Sequence, residues 1–488
     1  MSEQIRGLEP TSVWNHFADL NAVPRPSKKE ERVIQFMVDF GNSLGLPTEV
    51  DHVGNVFIRK QASKGMEERT PVVLQAHLDM VHQKNNDTEF DFNTQGIDMY
   101  VDGDWVKARG TTLGADNGMG VAYIMAMLSS TDIPHPAIDA LFTIDEETGM
   151  TGALELKGGM LNGKILLNID TEDDDEISIG CAGGVDVTSK ATYESEVPVK
   201  GLKAMKLAFT GGSGGHSVMD IHKGIANANK LMNRLLLVAY DAVDFRIETL
   251  EGGGLRNAIP RESHCTIIMD ASDCEAFAEV CLSEFEKITA EYRTTDPGLQ
   301  WSCETFGDAS SEVLPEDVQE SLLMAIQACP VGIHRMSPDI PNLVQTSNNL
   351  ARVEVNDGTI TLQCLCRSSV DSEKDDHARS ISAAFALAGL ETDYSGQYPG
   401  WTPNPNSSIV ATMKELYEEK YGEEPRVLAC HAGLECGILG TNYPEMDMVS
   451  FGPNIRGAHS PDECVQISSV QKFWDYLMDA LQRIPVKP

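Results

Sequence analysis

The chain has 488 residues, 41% of them hydrophobic, and a formal net charge of −36 at pH 7. That length exceeds one ordinary hydrophobic core, so two or more compact units are expected. The negative charge mostly serves solubility, and because no basic stripe interrupts it, we expect no binding to nucleic acid or anionic lipid. No apolar run approaches the roughly 18 residues of a membrane span, and the N-terminus lacks a signal-peptide pattern, so we expect neither membrane insertion nor export.

The 11 cysteines are scattered without a CxxC pair, and several lie inside strand-like apolar runs. Secreted disulfide frameworks are usually small and use paired cysteines, so buried thiols in a reducing compartment explain the pattern better. The composition therefore predicts a cytoplasmic protein.

From residue 70 to 170, short apolar strands alternate with helical stretches, as in an α/β layer. The predicted strands are PVVLQAHL, AIDALFTI and KILLNI, and the predicted helices cover 117–129 and 148–156. Ligands of open α/β sheets gather beyond the carboxyl ends of the strands, so this is where functional side chains are expected.

The pattern changes between residues 186 and 398. The first predicted elements there are strand LKAMKLAF, helix 218–240, strands near Phe245 and over 264–269, and helix 273–293. The order β-α-β-β-α then recurs as strand 300–306, helix 315–329, hairpin RVEVNDGTITLQCLC and helix 372–388. The hairpin rests on Asn356-Asp357-Gly358, residues that tolerate positive φ, between two alternating strands. The recurrence predicts an internal pseudo-dimer.

After the Pro-rich linker YPGWTPNPN the α/β pattern resumes. The predicted elements are helix 408–421, strands RVLAC and MDMVSF, and helix 468–484. The predicted fold class is α/β, with a central mixed sheet flanked by helices. We expect this domain to be split into 1–185 and 399–488 by an inserted α+β domain, 186–398, which corresponds to the duplicated β-α-β-β-α unit.

Metal-type side chains follow the predicted strands in series: His77, Asp116, Glu146, Glu147 and Asp170, with His459 in a late glycine-flanked loop. Each has an ordinary alternative. The HxD pair of His77 and Asp79 is common by chance, and Asp116 suits a helix N-cap. The two glutamates suit the solvated start of a helix. Asp170 suits a turn before the acidic run 172–176, and we predict that run to be solvated surface. Their order and placement are hard to obtain from caps and turns alone, so we interpret the series as a two-metal hydrolase site.

The spacing assigns these residues complementary tasks. His77 and Asp79 point to the same side of a strand, so Asp79 can accept a hydrogen bond from the imidazole nitrogen that does not bind metal. Asp116, on a glycine-containing turn, can bridge two metals. Adjacent Glu146 and Glu147 repel each other unless cations or protons intervene, so one can ligate a metal while the other takes a proton from water.

The series HLD, ADNG, DEETG, NID and AHSPDE resembles the di-zinc aminopeptidase and carboxypeptidase superfamily, specifically the aminoacyl-histidine dipeptidase (Xaa-His dipeptidase, cytosolic non-specific dipeptidase) family. The strings GGSGGHS, GGGLRNAIPRE and HAGLECG extend this resemblance over nearly the whole chain. The resemblance implies one zinc held by His77, Asp116 and Asp170 and a second held by Asp116, Glu147 and His459. It also implies Glu146 as general base and Asp79 as the partner of His77.

The family also implies a lid domain, which matches the insertion. His216 would stabilise the oxyanion, Asn257 and Arg367 would bind the substrate's C-terminal end, and Gly433 would present its backbone. Each of three residues also has an ordinary alternative. His216 would be an incidental histidine in a mobile glycine loop, Arg367 a surface cation at a strand end, and Gly433 a turn glycine. The resemblance implies a homodimer and leaves open whether His216 serves its own or a partner subunit. Zinc is the expected metal, and manganese or cobalt also suits such ligands.

The expected activity is metal-dependent hydrolysis of unblocked dipeptides, including Xaa-His and β-alanyl-histidine. The alternatives are a carboxypeptidase, a tripeptidase or an N-acyl amino acid deacylase on the same metals, and a non-catalytic metal-dependent binding or scaffold protein, against which Glu146 and Asp79 argue. A zinc knuckle at His431 with Cys430 and Cys436 has the wrong spacing, so packing is predicted there.

Overall fold

The computed structural model describes residues 3–198, 201–217, 219–308, 312–404, 406–430 and 433–487. The chain divides into two compact units. Unit 1 consists of Met1–Cys181, Trp401–Cys430 and Leu434–Pro488, and unit 2 consists of Ala182–Gly400 and His431–Gly433. Within the described ranges, no helix is both long and apolar enough to cross a membrane.

The first segment of unit 1 carries the predicted α/β layer. Its helices are α1 Glu3–Arg6, α2 Thr11–Asn21, α3 Glu31–Ser43, α4 Ala115–Ser129, α5 Glu146–Gly149 and α6 Thr151–Glu155. Its strands are β1 Thr48–Val50, β2 Val56–Lys60, β3 Val72–His77, β4 Met99–Asp102, β5 Trp105–Ala108, β6 Ile138–Thr143, β7 Ile165–Asn168 and β8 Glu176–Cys181. The prediction of one helix over 148–156 is wrong, because Met150 adopts φ 51° and separates α5 from α6.

Unit 2 contains the strands and helices of the insertion. Its strands are β9 Gly183–Thr192, β10 Lys203–Thr210, β11 Gly215–His216, β12 Phe245–Gly253, β13 Ala258–Ile259, β14 Ser263–Met269, β15 Gln300–Asp308, β16 Gly332–Met336, β17 Val344–Asn356, β18 Thr359–Ser368 and β19 Glu391–Tyr398. Its helices are α7 Ala228–Tyr240, α8 Cys274–Glu291, α9 Glu316–Ala328 and α10 Asp371–Ala386.

The prediction that helix α7 starts at residue 218 is wrong. Val218 itself lies outside the described residues, but a short 3-10 turn at Ile221–Lys223 ends at Gly224, whose φ is 65°. The helix starts only at Ala228, where the Asn227 side chain accepts a hydrogen bond from the Lys230 amide.

The last segment completes unit 1. It contains β20 Arg426–Cys430, β21 Asp447–Ser450, β22 Ile455–Arg456 and β23 Cys464–Gln466, with helices α11 Ser408–Tyr421, α12 Glu435–Asn442 and α13 Ile467–Arg483. Helix α11 starts as predicted because the Ser407 side chain accepts a hydrogen bond from the Val410 amide.

Among the described residues, eight strands of unit 1 form a mixed sheet in the order β1-β2-β6-β3-β7-β21-β8-β20. The neighbours β6, β3, β7 and β21 run parallel to one another, whereas β2 pairs antiparallel with β1 and β6. Every residue of β3, β6 and β7 is buried, as expected for the centre of a sheet covered on both faces. The predicted mixed sheet flanked by helices is confirmed. A small sheet, β22-β23-β5-β4, also belongs to this unit.

The sheet of unit 2 shows the duplication. Its described strands lie in the order β15-β10-β14-β12-β17-β18-β9-β19, with β16 paired to β17. The first half contains β10, α7, β12, β14, α8 and β15 in chain order. If its four strands are numbered 1 to 4 along the chain, they lie in the sheet in the order 4-1-3-2. The second half consists of β9 and then, after the whole first half, α9, β17, β18, α10 and β19. Numbered along the chain, its four strands lie in the sheet in the order 2-3-1-4. The two halves therefore repeat one pattern about the β12/β17 junction.

The boundary between the repeats differs from the prediction. Strand β15, predicted to open the second repeat, pairs with β10 and closes the first. The second repeat opens instead with β9, which precedes the first repeat in sequence and pairs with β18 over ten residues. Sequence order concealed this, because the first repeat is inserted into the second.

The predicted hairpin is confirmed. Asn356 pairs with Thr359, leaving Asp357 at φ 45° and Gly358 at φ 76° as a two-residue turn. Positive φ at both central residues matches the twist of the flanking strands.

Candidate metal centre

Three parallel strands of unit 1 end at the same edge of its sheet. His77, the last residue of β3, is level with Thr143, the last residue of β6, and β7 ends at Asn168 on the other side of β3. The residues that follow these strands, including Glu146 and Asp170, therefore converge on His77. This is where the sequence predicted a ligand site.

The turn at residues 113–116, which leads into α4 and includes its first two residues, brings Asp116 into the same place. Gly114 adopts φ 70°, and Asp116 has φ −82° and ψ 109°, outside the helical range. The N-terminus of α4 has no side-chain cap, so the N-cap alternative for Asp116 is wrong. Its carboxylate contacts two histidines instead.

Asp116 stands between two groups of potential ligands. Asp116 Oδ1 lies 3.2 Å from His77 Nε2, which lies 3.6 Å from Asp170 Oδ1. Asp116 Oδ2 lies 3.2 Å from His459 Nε2, which lies 3.0 Å from Glu147 Oε2. Within each group, one ligand atom from every residue falls within 4.8 Å of the others. The two sets match those implied by the family resemblance.

The charges of these groups suit two cations. Burial raises the pKa of Asp170, Glu147 and, well above its ordinary value, Glu146, since several carboxylates crowd a poorly solvated space. Hydrogen bonds to Asp116 and then Glu147 raise the pKa of His459 to about 11. Burial opposes ionisation of Asp116, but its hydrogen bonds with His459 and His77 keep its pKa below the ordinary value.

The donor set supports the same conclusion. Glu147 Oε1 is buried and has no hydrogen-bond partner in the described part of the chain. A buried carboxylate oxygen is costly without a donor or a cation, and imidazole with carboxylate is a usual zinc ligand set. The residues present therefore fit two divalent cations sharing Asp116.

Glu146 is placed differently from Glu147. Its side chain is partly exposed, whereas that of Glu147 is buried, and Glu146 Oε2 lies 3.9 Å from His77 Nε2. The solvated-helix-start alternative is wrong, because the Glu146 side chain is only 13% exposed and the Glu147 side chain 3%. Glu146 also forms a compact group of potential ligands with His77 and Glu147, and it is not part of the two groups that share Asp116.

Asp79 supports both sides of the centre. Its Oδ1 lies 3.3 Å from His77 Nδ1 and accepts a 3.0 Å hydrogen bond from the Glu146 amide. Its Oδ2 accepts from the Glu147 amide at 3.3 Å and from Ser27 Oγ at 2.8 Å. Asp79 thus lies against the imidazole and also holds the start of α5, a second task that the HxD spacing did not indicate.

Asp79 also forms a compact acidic group with Glu30 and Asp145. Protein donors serve each of these acids: Ser27 hydroxyl for Asp79, the Lys28 amide for Glu30, and Thr148 and Thr151 hydroxyls for Asp145. We therefore assign this group a structural role.

Sequence analysis missed two residues that hold the Asp116 turn. Glu463 is buried, and its two oxygens accept hydrogen bonds from the four consecutive amides 113–116 at 2.7–3.1 Å. Arg25 is also buried and donates to the carbonyls of Leu78, Asp79 and Gly114. The only signal for Glu463 was its place in RGAHSPDE, four residues after His459, and Arg25 had none.

Glu435 lies beneath the centre and was also missed, although HAGLECG contains it. It is fully buried and accepts hydrogen bonds of 2.6 Å from both Gln75 Nε2 and Thr143 Oγ1. Burial raises its pKa to about 7. Glu435 therefore braces the ends of β3 and β6.

Only part of the acidic run 172–176 is the predicted solvated surface, since Asp173 and Asp175 are 34% and 46% exposed whereas Asp174 is 13% exposed. Asp173 and Asp175 pair with Arg426, and Asp174 pairs with Lys472. Glu172 is partly buried near Asp116 and Asp170, and burial raises its pKa to about 8.

The residues predicted for substrate binding lie in unit 2. His216 ends β11 and pairs with Ala258, and its Nε2 lies 3.3 Å from Asn257 Nδ2. Burial, and then the positive charge of Arg367, lower the pKa of His216. Arg367 is buried in β18, so the surface-cation alternative is wrong. These three residues form one cluster within the unit.

The remaining residues considered in the sequence are Gly433 and the three positions of the rejected zinc knuckle, Cys430, His431 and Cys436. Gly433 is grouped with unit 2. His431 and the Cys430 side chain lie outside what the structure describes, whereas Cys436 is a buried cysteine.

Comparison with known proteins places the chain in a family. The model of "Peptidase family M20/M25/M40" matches residues 73–483. The "Cytosol non-specific dipeptidase" of Escherichia coli (strain K12) is 41% identical over 487 residues, covering 100% of both chains. The aminoacylhistidine dipeptidase from Vibrio alginolyticus superposes with a TM-score of 0.95 at 42% identity, covering 100% of this chain and 99% of that one.

A more distant structure shares the fold alone. Aminopeptidase PepT from Bacillus cereus superposes with a TM-score of 0.56 at 14% identity, covering 98% of this chain and 99% of that one. The full-length relatives and the family match together make this chain a member of peptidase family M20/M25/M40.

Proposed function

We propose that the protein is a metal-dependent dipeptidase that hydrolyses unblocked dipeptides, including Xaa-His dipeptides and β-alanyl-histidine. The observation that carries the proposal is the pair of ligand groups sharing Asp116, with the carboxylate of Glu146 left beside them. The names of the Escherichia coli and Vibrio alginolyticus relatives, both dipeptidases, support the substrate class.

His77, Asp116 and Asp170 would hold one cation, and Asp116, Glu147 and His459 would hold the other. Divalent cations in these positions supply Lewis acidity for the peptide carbonyl and lower the pKa of water. Zinc suits the mixed imidazole and carboxylate ligands, and manganese or cobalt would also bind. Metal analysis of the purified protein identifies the ion.

Glu146 accepts the proton of the attacking water and transfers it to the leaving amine. Two contacts support this role: Glu146 Oε2 lies 3.9 Å from His77 Nε2, and Asp79 accepts a hydrogen bond from the Glu146 amide. A carboxylate that has accepted the proton of the water can donate it to the leaving amine in the next step.

The cluster of unit 2 binds the rest of the substrate. His216 donates a hydrogen bond to the carbonyl oxygen as negative charge develops there. Arg367 and Asn257 bind the carboxylate end, since the planar guanidinium pairs with carboxylate through two hydrogen bonds. Gly433 contributes its backbone. On this assignment unit 1 is the catalytic domain and unit 2 is the lid.

We extend the proposal to the setting of the enzyme, which is cytoplasmic, homodimeric, and independent of nucleic acid and membranes. The name of the Escherichia coli relative supports the location. Sedimentation equilibrium measures the oligomeric state.

The decisive experiment measures histidine release from β-alanyl-histidine and from an α-linked Xaa-His dipeptide, with chelator-stripped protein before and after zinc is added. We expect turnover only with metal. Release from N-acyl amino acids or longer peptides, with free dipeptides untouched, would instead establish the deacylase, tripeptidase or carboxypeptidase.

A further inference from the structure

Glu172 lies beside the metal centre but belongs to neither ligand group. It comes two residues after Asp170 in the loop that follows β7, and its side chain is partly buried. The charges of Asp116, Asp170 and His459 act on its carboxylate. Asp116, Asp170 and Glu172 also line one small cavity.

The side chain of Glu172 has no protein partner in the described part of unit 1. The nearby cation, Arg456, uses Nη1 to donate to the main-chain carbonyl of Glu172 at 2.7 Å and pairs through Nη2 with Asp173. The supporting acids Asp79 and Glu463, by contrast, accept several hydrogen bonds each from the protein.

The loop holds Glu172 in a defined place. The Ile455 amide donates to the Glu172 carbonyl at 3.0 Å, and Thr171 Oγ1 bonds with Ser450 Oγ at 2.9 Å. Gly452 packs so closely that a Cβ there would lie 1.9 Å from the Thr171 carbonyl oxygen. A rigid loop beside the reacting centre positions a carboxylate without further ordering.

The proposed substrate has a charge that remains unmatched. Arg367 and Asn257 serve its carboxylate end, whereas its ammonium group, with a pKa of about 7.7–8.0 for an α-amine, has no counterpart among the assigned residues. A partly desolvated carboxylate without a partner is costly, and a bound ammonium relieves that cost. Because Glu172 contributes to neither compact ligand group, it remains available for this task.

We propose that Glu172 binds the free amino group of the dipeptide and so selects unblocked substrates. The inference rests on the proposed dipeptidase function and identifies the residue that sets its requirement for a free amine. Glu172 contacts the substrate away from the bond that is cleaved.

The test compares glycyl-histidine with acetyl-histidine, which differ only by the amino group, in the wild-type protein and in Glu172→Gln. The variant removes the charge and keeps the side-chain size. We expect kcat/KM for glycyl-histidine to fall about 10- to 100-fold, the loss of one charge-assisted hydrogen bond. The loss should appear mainly in KM, and kcat/KM for acetyl-histidine should not change.

The matched control is Glu176→Gln, which removes a charge from the same acidic run. Unlike Glu172, Glu176 has protein partners among the described residues, since it accepts a hydrogen bond from Ser178 and pairs with Arg426. The Glu176→Gln variant should have the same kcat/KM as the wild type for both substrates. Metal content by mass spectrometry should stay constant in all three proteins. An equal loss on both substrates, or a loss of metal, would mean that Glu172 supports the centre and would overturn the inference.

The result also distinguishes a failure of the proposed role of Glu172 from a failure of the proposed dipeptidase function. Wild-type cleavage of glycyl-histidine with unaltered selectivity in Glu172→Gln overturns the inference alone. Wild-type protein that cleaves only acetyl-histidine, or neither substrate, overturns the dipeptidase function and the inference with it. If Glu172→Gln fails to fold, Glu172→Asp replaces it, and the expected result is a selective loss for glycyl-histidine, because the shorter carboxylate reaches the amine less well.

Discussion

At the scale of single residues, Glu146 and Glu147 show how neighbours in sequence take different tasks. Glu147 faces His459, and Glu146 remains beside the ligand groups. Replacing Glu146 by Gln should lower kcat about 10²- to 10⁴-fold, the range of general acid–base catalysis, without changing metal content. Steady-state kinetics with metal analysis measures both, and Glu155→Gln on the exposed face of α6 is the control. Near-normal turnover would exclude Glu146 as the base.

Asp79 permits a second prediction at this scale. Replacing Asp79 by Ala removes the contact with His77 Nδ1 and the acceptor for the Glu146 and Glu147 amides. Loss of such an outer carboxylate typically weakens metal binding about 10- to 100-fold. Competition with a chelator measures the affinity, and an unchanged affinity would show that the imidazole does not depend on Asp79.

At the scale of structural elements, the turn at residues 113–116 depends on Glu463. Its carboxylate accepts four backbone amides, and Glu463→Gln replaces one acceptor oxygen by a donor that faces the same amides. We expect about 1–3 kcal/mol less stability and weaker metal binding, since the turn also presents Asp116. Urea unfolding measures the stability. Wild-type behaviour in both assays would mean that Gly114 and Arg25 hold the turn without Glu463.

Helix α10 carries a pH-dependent element. Burial, and then the nearby His334, lower the pKa of His377 to about 4, opposed by Glu373 and Asp376. Its ring nitrogens have no hydrogen-bond partner in the described structure. In the unfolded chain the His377 imidazole binds a proton below about pH 6.5, whereas in the folded protein it does so only near pH 4. The contribution of neutral His377 to stability is therefore complete above about pH 6.5 and disappears as the pH falls toward about 4. Melting temperatures across this window should vary less in His377→Phe than in the wild type, and equal slopes would refute the assignment.

At the scale of the whole molecule, metal removal should couple activity to stability. Without cations the carboxylates of Asp116, Glu147 and Asp170 remain crowded and poorly solvated. Chelation should abolish turnover and lower the melting temperature, and zinc at 100 times Kd should restore about 2.7 kcal/mol per site. Calorimetry of stripped and reloaded protein measures this. Equal melting temperatures would show that the ligand groups are held by the fold alone.

The composition and motifs determined much of this protein without coordinates. Short continuous apolar runs predicted β3, β6 and β7, whose residues are all buried, and alternating residues around a turn predicted the β17–β18 hairpin. The ligand series was readable because metal ligands are few residue types placed at strand ends.

Only the tertiary structure decided which distant groups meet. The pairing of β9 with β18, and of β15 with β10, reversed the predicted repeat boundary, since strand pairing between distant segments leaves no local signal. Glu463 and Arg25 escaped detection for the same reason. Their hydrogen bonds run to backbone amides and carbonyls about 50 to 350 positions away, and a backbone group has no side-chain identity that a sequence could reveal.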